Sequence, residues 1–196
     1  MSEVSEAPHD RLTYALSTLT GDPCLQIGPE VYLACKDISF VDAGSVETSQ
    51  ISDSSFCTWL CDEAHFFTLI KADSGTLVYS HTNGVLYYAA PIAQLSAACP
   101  LGTAILCQFT LDSLPPPELL TPRLLAFDVL QRYDPVQRGE ALRALAVHLP
   151  TPLCCVQWVG PRQYLTAQFV SGLPHKTRGG FALTEDPRFV VTLGGI

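Results

Sequence analysis

Apolar residues in this chain fall in short blocks separated by polar breaks, and few of the blocks have helical spacing. In "HDRLTYALSTL" the apolar positions Leu12, Ala15, Leu16 and Leu19 share one helical face, which predicts a helix with Asp10 as its N-cap. "EVYLACKDISFV" reads as a strand and "DAGSVETSQISDSS" as a polar loop, while "FCTWLCDEAHFF" fits helix or strand equally. "FFTLI" and "TLVYSH" are β-branched and aromatic, as strands prefer. "TNG" before "VLYYAAP" predicts a hairpin over 76–90, with a type I′ turn at Asn83-Gly84.

The second half continues in the same manner. "PIAQLSAACP" predicts a short helix and "TAILCQFTL" a strand. "DSLPPPELLTP" predicts a loop, because consecutive prolines exclude a helix interior and a central strand. "RLLAFDVLQ" predicts a buried strand whose apolar run is broken by Asp128. A helix follows in "DPVQRGEALRALAVHL", with Asp134 as cap, Pro135 in the first turn and Leu142, Leu145 and Leu149 on one face. "LCCVQWVG" and "QYLTAQFV" predict strands about a turn at Gly160-Pro161, and "GGFALTE" and "RFVVTL" predict two more. Strands outnumber helices and come mostly as hairpins. The expectation is an α+β fold of mostly antiparallel sheets with a few helices, in one domain over 10–196 after a disordered segment 1–9.

Composition narrows the classes. The chain is 47% hydrophobic and 15% charged, yet it lacks the ~18 consecutive apolar residues that a membrane span needs. "MSEVSEAPHD" has neither the basic, apolar layout of a secretory signal nor an Arg-rich transit face. An intracellular protein of nucleus and/or cytoplasm, with no membrane partner, is expected. The eight cysteines form no C-x-x-C pair and no zinc-finger spacing with histidine, so they read as buried thiols; neither a metal site nor a cofactor is expected. The net charge of −8 is uneven. Residues 1–120 hold 3 Lys+Arg against 14 Asp+Glu (−11), and residues 121–196 hold 8 against 5 (+3). Such a chain is a poor general binder of nucleic acid, although a basic face built from its C-terminal part is possible.

Several segments, taken in order, resemble the nucleotidyltransferase domain of mRNA capping guanylyltransferases and ATP-dependent polynucleotide ligases. "Lys71-Ala72-Asp73-Ser74-Gly75" is similar to the K-x-D-G pattern with one residue inserted before the glycine. "TPRLLAFDVL" resembles that family's "PRYLIFDVL" strand and places Asp128 at its acid. "LPHKTRGGFAL" resembles "LPHxxDGLIF". The resemblance spans roughly residues 66 to 189. It implies a cleft in which Lys71 would be the nucleophile toward a nucleotide α-phosphate, shared with Asp128. Lys71 and Asp128 on opposite faces of the sheet would count against it.

The departures point away from catalysis. Thr76 and Leu77 stand where the family has an arginine, Gln108 or a neighbour replaces a catalytic glutamate, and Gly179 replaces a metal-binding acid. The final pair of phosphate-holding lysines and a following OB module have no counterpart in the sequence. Lysine attack needs a depressed pKa, and phosphoryl transfer needs metal and cationic groups, so these losses remove most of the stabilisation. The pattern is that of a degenerate domain like the cap-binding domain of snurportin. The resemblance implies a nucleotide-binding set of Lys71, Asp73, Gly75, Gln108, Asp128, His175, Lys176 and Arg178, with no catalytic residue unless Lys71 is active. The implied partners are a nucleotide, a capped RNA or an RNA 5′ end, within an RNA-processing or transport assembly. Two alternatives stay open: a scaffold that kept only the fold, with protein partners covering its apolar surface, and an active guanylyltransferase or ligase using Lys71. Trp59 and Trp158 are further aromatic candidates for stacking on a base.

Overall fold

The computed structural model describes residues 10–25, 38–41, 51–114, 119–131 and 134–194. The expected disorder over 1–9, most of the strand over 30–41, most of the loop over 42–55 and the proline run 115–117 lie outside them. Helix α1 (Arg11–Leu19) starts where expected, because the Asp10 carboxylate accepts the Leu12 and Thr13 N–H groups. It leads through β1 (Thr20–Pro23) and β2 (Ser39–Val41) to the ambiguous segment, which resolves into β3 (Phe56–Cys61) and β4 (His65–Ala72). The tight link between them holds Glu63 at φ 51, and it carries the chain from one sheet into another.

β5 (Gly75–Ser80) and β6 (Val85–Ala89) form the expected hairpin with a different turn. Ser80 pairs with Val85, so four residues close the loop, and Gly84 alone takes positive φ, at 67°. A type I′ turn needs positive φ at both central positions. Asn83 instead spends its side chain on the loop, accepting the Val85 N–H and donating to the Tyr87 hydroxyl.

β7 (Ala104–Leu114) and β8 (Leu119–Val129) make the longest pairing, and both run into the segment expected to be loop. Pro122 is tolerated because it lies opposite Leu111, beyond the three residues of β8 that pair on their other side with β9 (Cys154–Val156). Helix α2 (Pro135–Leu145) carries the expected Asp134 cap and buries Leu142. "QYLTAQFV" corrects the expectation of a strand. After β10 (Gly160–Pro161) it forms a 3₁₀ turn and then the short helix α3 (Ala167–Ser171), because the Thr166 hydroxyl caps the Phe169 N–H. β11 (Thr177–Leu183) and β12 (Phe189–Leu193) follow as expected.

The result is α+β and sheet-dominated. A seven-stranded sheet runs β1-β6-β5-β4-β7-β8-β9, and a five-stranded sheet runs β10-β3-β11-β12-β2. Pairing is antiparallel except at β8–β9 and β12–β2. One face of the larger sheet packs Phe67, Leu69, Ile105 and Cys107 against α1 and α2. Its other face brings Phe66, Leu106 and Phe127 against Leu60, Phe181 and Val190 of the smaller sheet. β4 is covered on both sides, which is why its apolar run lacks alternation. Six of the seven cysteines described are buried, and burial pushes the Cys57 and Cys61 thiols up to about 11 and about 12, far from thiolate reactivity. No described helix is long and apolar enough to cross a membrane.

α2 is fixed by a buried ion pair. Arg138 is fully buried, and its Nε donates to Asp128 Oδ1 at 2.8 Å. Its other nitrogens donate to the Thr184 and Glu185 carbonyls, so one side chain ties α2 to β8 and to the β11–β12 connection. Arg138→Ala strands a buried carboxylate and should lower stability by about 3–5 kcal/mol, read from urea unfolding. A loss below about 1 kcal/mol would remove that role from Arg138.

Candidate functional site

Lys71 ends β4, half-buried, and its backbone pairs with Gly102 and Thr103 rather than opening a loop. Strand alternation puts its side chain on the face of Phe67 and Leu69, because Ile70 packs on the other face with Leu77 and Tyr79. Asp128 pairs with Leu106, on the face that meets the smaller sheet. The two candidates therefore leave opposite faces of the sheet, and the shared cleft that the resemblance implies is not formed. Burial raises the Asp128 carboxyl, and its bond with Arg138 opposes the shift. The residue is part of an internal ion pair, not of a cleft wall. Asp73 is exposed in the β4–β5 turn, and Gly75 takes φ +119 there, so both serve the turn.

Gln108 has no exposed surface and joins the two sheets. Its Oε1 accepts the Cys61 N–H at 3.0 Å, and its Nε2 donates to the Trp59 carbonyl at 3.0 Å and to Gln157 Oε1 at 2.6 Å. Gln157 donates in turn to Thr58 Oγ1 and the Trp59 carbonyl. The two amides thus fill the space between β7 and β3.

The basic segment sits elsewhere. His175 Nε2 accepts the Trp59 indole N–H at 2.9 Å. An indole can only donate, so that nitrogen is bare and the proton is on Nδ1, which donates to Asp112 Oδ1 at 2.9 Å. Arg123 Nε donates to the second Asp112 oxygen at 3.1 Å. The imidazole is thereby used up as a structural link. Lys176 and Arg178 beside it are exposed and form no ion pair among the described residues. Lys176 and His175 line an open groove of about 410 Å³ with Asp62, Thr177 and the α3 residues Val170 and Ser171. Lys71 does not join this cluster. Thr103 pairs with Lys71 at one end of β7 and Asp112 meets His175 at the other, so nine residues of strand, roughly 30 Å, lie between them.

Gly179 stands at φ +92 in an irregularity of the β11–β3 pairing, and a Cβ there would lie 2.8 Å from the Leu193 carbonyl oxygen. The backbone itself demands glycine where the resemblance expects a metal-binding acid. Among the described residues no group of three His, Cys, Asp or Glu is placed to hold a metal ion.

Sequence reasoning missed Arg138, Gln157 and Trp59 as partners. The signal for the first was present: a carboxylate inside "LLAFDVL" requires a partner. No local pattern marks Gln157 or the Trp59–His175 bond, since both depend on strands far apart in sequence.

No protein-family model matches the chain, and no curated protein matches it. Among solved structures, the ligase domain of LigD from M. tuberculosis is similar, with a TM-score of 0.45 and 10% identity over 85% of this chain and 60% of that one. A mycobacterial DNA ligase D complexed with ATP and MES is similar with a TM-score of 0.45 and 11% identity over 81% and 58%. The chain therefore spans 58–60% of the length of these structures. The first is a ligase domain and the second a DNA ligase D; neither is the snurportin domain.

Two substitutions check the geometry. Gln108→Glu keeps an acceptor for the Cys61 N–H but loses both donors, so it should cost about 2–4 kcal/mol in chemical unfolding. A variant as stable as the wild type would overturn the two-amide account. Gly179→Asp should destabilise by about 1–3 kcal/mol, because left-handed strain and the Leu193 contact add. Recovered metal binding by this variant at unchanged stability would show that the position tolerates the acid.

Proposed function

We propose that this chain is a non-catalytic interaction module that uses a nucleotidyltransferase-like fold as a scaffold. One observation carries the reading: Gln108, which the resemblance places in the nucleotide-binding set, fills the space between β7 and β3 together with Gln157, and the hydrogen bonds of both amides are satisfied. A ligand entering there would have to break five hydrogen bonds that these two amides make with the backbone, with Thr58 and with each other. The separation of Lys71 from Asp128 supports the same reading. Large exposed apolar side chains such as Ile92, Leu101 and Val147 offer surface for protein partners.

A second reading keeps a phosphate-bearing ligand, whether a nucleotide, a capped RNA or an RNA 5′ end. It is favoured by Lys176 and Arg178, two exposed cations in an acidic chain, next to the groove. Such a ligand would bind at the surface, outside the inter-sheet space. An active transferase is disfavoured, since Asp128 leaves the opposite face of the sheet from Lys71 and, among the described residues, no group of three His, Cys, Asp or Glu is placed to hold a metal ion.

The tests are a label and a titration. The purified chain with labelled GTP or ATP and Mg²⁺ or Mn²⁺ should form no covalent lysyl-nucleotide. A label that survives denaturation and vanishes in Lys71→Ala would establish the enzyme instead. Cap analogue, GTP, ATP and a 5′-triphosphate RNA should show no saturable binding at two salt concentrations. Saturable binding that weakens, with a shallower salt slope, in the Lys176→Ala/Arg178→Ala double variant would select the second reading.

A further inference from the structure

His175 is a buried titratable group that stands between the two sheets, with its side chain 3% exposed. On one side its Nδ1 donates to Asp112 of β7, whose second oxygen accepts from Arg123 Nε. On the other side its Nε2 accepts the indole N–H of Trp59 on β3. The second bond needs a bare Nε2, so this arrangement exists only with a neutral imidazole. A proton taken up from solvent occupies the Nε2 lone pair, and two N–H groups then face each other across 2.9 Å. The N–H···N bond breaks. The bond to the Asp112 carboxylate becomes charge-assisted from both partners and strengthens.

Anchoring of the backbone decides which partner gives way. The Pro174 carbonyl accepts the Ser113 N–H at 2.8 Å and the Lys176 carbonyl accepts the Asp62 N–H at 2.9 Å, so the chain is pinned on both flanks of His175. The Trp59 backbone is pinned too, by the bonds its carbonyl accepts from Gln108 and Gln157. Its ring is held more loosely. It packs against Phe169, with centroids 5.7 Å apart, on helix α3, none of whose residues is buried. A five-residue helix has little stability of its own and depends on such contacts. Val170 and Ser171 of α3 line the groove with His175 and Lys176, so a displaced indole acts on α3 and on the groove wall.

We propose that His175 is a proton-operated latch between the sheets: neutral, it joins Trp59 to Asp112; protonated, it keeps Asp112 and releases the indole, which loosens α3 and reshapes the groove. Charges of both signs surround the ring. Asp112 of β7 and Asp62 of the β3–β4 link favour the imidazolium. Arg123 of β8 and Lys176 of β11 oppose it, with Arg178 further along β11. Arg11 of α1 is paired with Glu63. Cys61 of β3 and Cys155 of β9 stay thiols, since burial pushes both up. α3 carries no ionisable side chain. Charge alone therefore does not forbid the proton, and the exchange of hydrogen bonds sets its consequence.

The test is a titration of the full chain from about pH 8 to about pH 5, the span in which histidine side chains change charge. Nitrogen–proton NMR follows the His175 ring, the Trp59 indole and the Val170 and Leu173 amides. As Nε2 takes up its proton, the Trp59 indole should lose protection from water exchange by roughly five- to tenfold, referred to free N-acetyl-tryptophanamide at the same pH, as the loss of one hydrogen bond requires. The Val170 and Leu173 amides should shift with the same midpoint. An imidazole that titrates while the indole keeps its protection overturns the latch, and so does one that stays neutral to the end of the titration. Amides that do not follow the indole overturn the link to the groove. His175→Gln keeps one donor and one acceptor and gains no proton, so its Trp59 should stay protected throughout; a loss that persists there overturns the assignment to His175. Asp112→Asn removes the charge that favours the imidazolium and should move the midpoint to lower pH. An unmoved midpoint would show that Asp112 is not the partner kept, and this variant with the wild-type titration decides the case even where His175→Gln does not fold.

Discussion

A side-chain amide standing in for a missing strand holds this fold together. β3 pairs with β11 along one edge, but on its other edge β10 covers only Phe56 and Cys57. Beyond that point the Cys61 N–H and the Trp59 carbonyl face the larger sheet with no backbone partner. Gln108 reaches across from β7 and supplies one acceptor and one donor. Without Gln108 the Cys61 N–H would be buried and unpaired, at a cost of roughly 1–3 kcal/mol, and the Trp59 carbonyl would keep only its bond from Gln157. This contact ties the Trp59–Cys61 end of β3 to β7. It must be an amide, since no other small side chain offers a neutral donor and acceptor at that spacing.

The charge asymmetry of the sequence gains a structural meaning. Read alone, a basic C-terminal part suggests a face for phosphates. In the structure several of its arginines are engaged in ion pairs. Arg123 bonds Asp112, Arg138 bonds Asp128 and Arg162 bonds Asp53. The excess positive charge after residue 120 is in large part a record of these pairings. A buried pair such as Arg138–Asp128 adds little net stability over a well-packed apolar pair, but it penalises any register that leaves either charge alone. Among the described residues Arg143, Lys176 and Arg178 are exposed and form no ion pair, and Lys176 lines the groove beside α3, far from Lys71.

Local chemistry was legible in the sequence, and distant pairing was not. Asp10 and Asp134 announce their helices because a cap acts within three residues. The β5–β6 hairpin is legible for the same reason. The turn type was misjudged because Asn83 can serve a loop with its side chain as well as with its backbone. Proline misled over 112–122, since the exclusion of proline from sheets applies to central positions and Pro122 lies on an unpaired edge. The candidate site suffered most. Lys71, Asp128 and the 175–178 segment look like one constellation when ordered along a chain. Whether they converge depends on strand parity and on nine residues of β7, neither of which has a signature in residue type.

The position of Gln108 also sets what an acid could do there. A carboxylate there could accept from Cys61 but would face the Trp59 carbonyl and Gln157 Oε1 as three acceptors with no donor among them. Buried without exposed surface, it would have to take up a proton or force the sheets apart. A metal-binding acid and a sheet-joining amide are therefore mutually exclusive at this site. The same exclusion acts at Gly179, where backbone geometry rather than hydrogen bonding forbids the acid. Two positions that the resemblance assigns to phosphoryl chemistry are committed to holding the sheets in place.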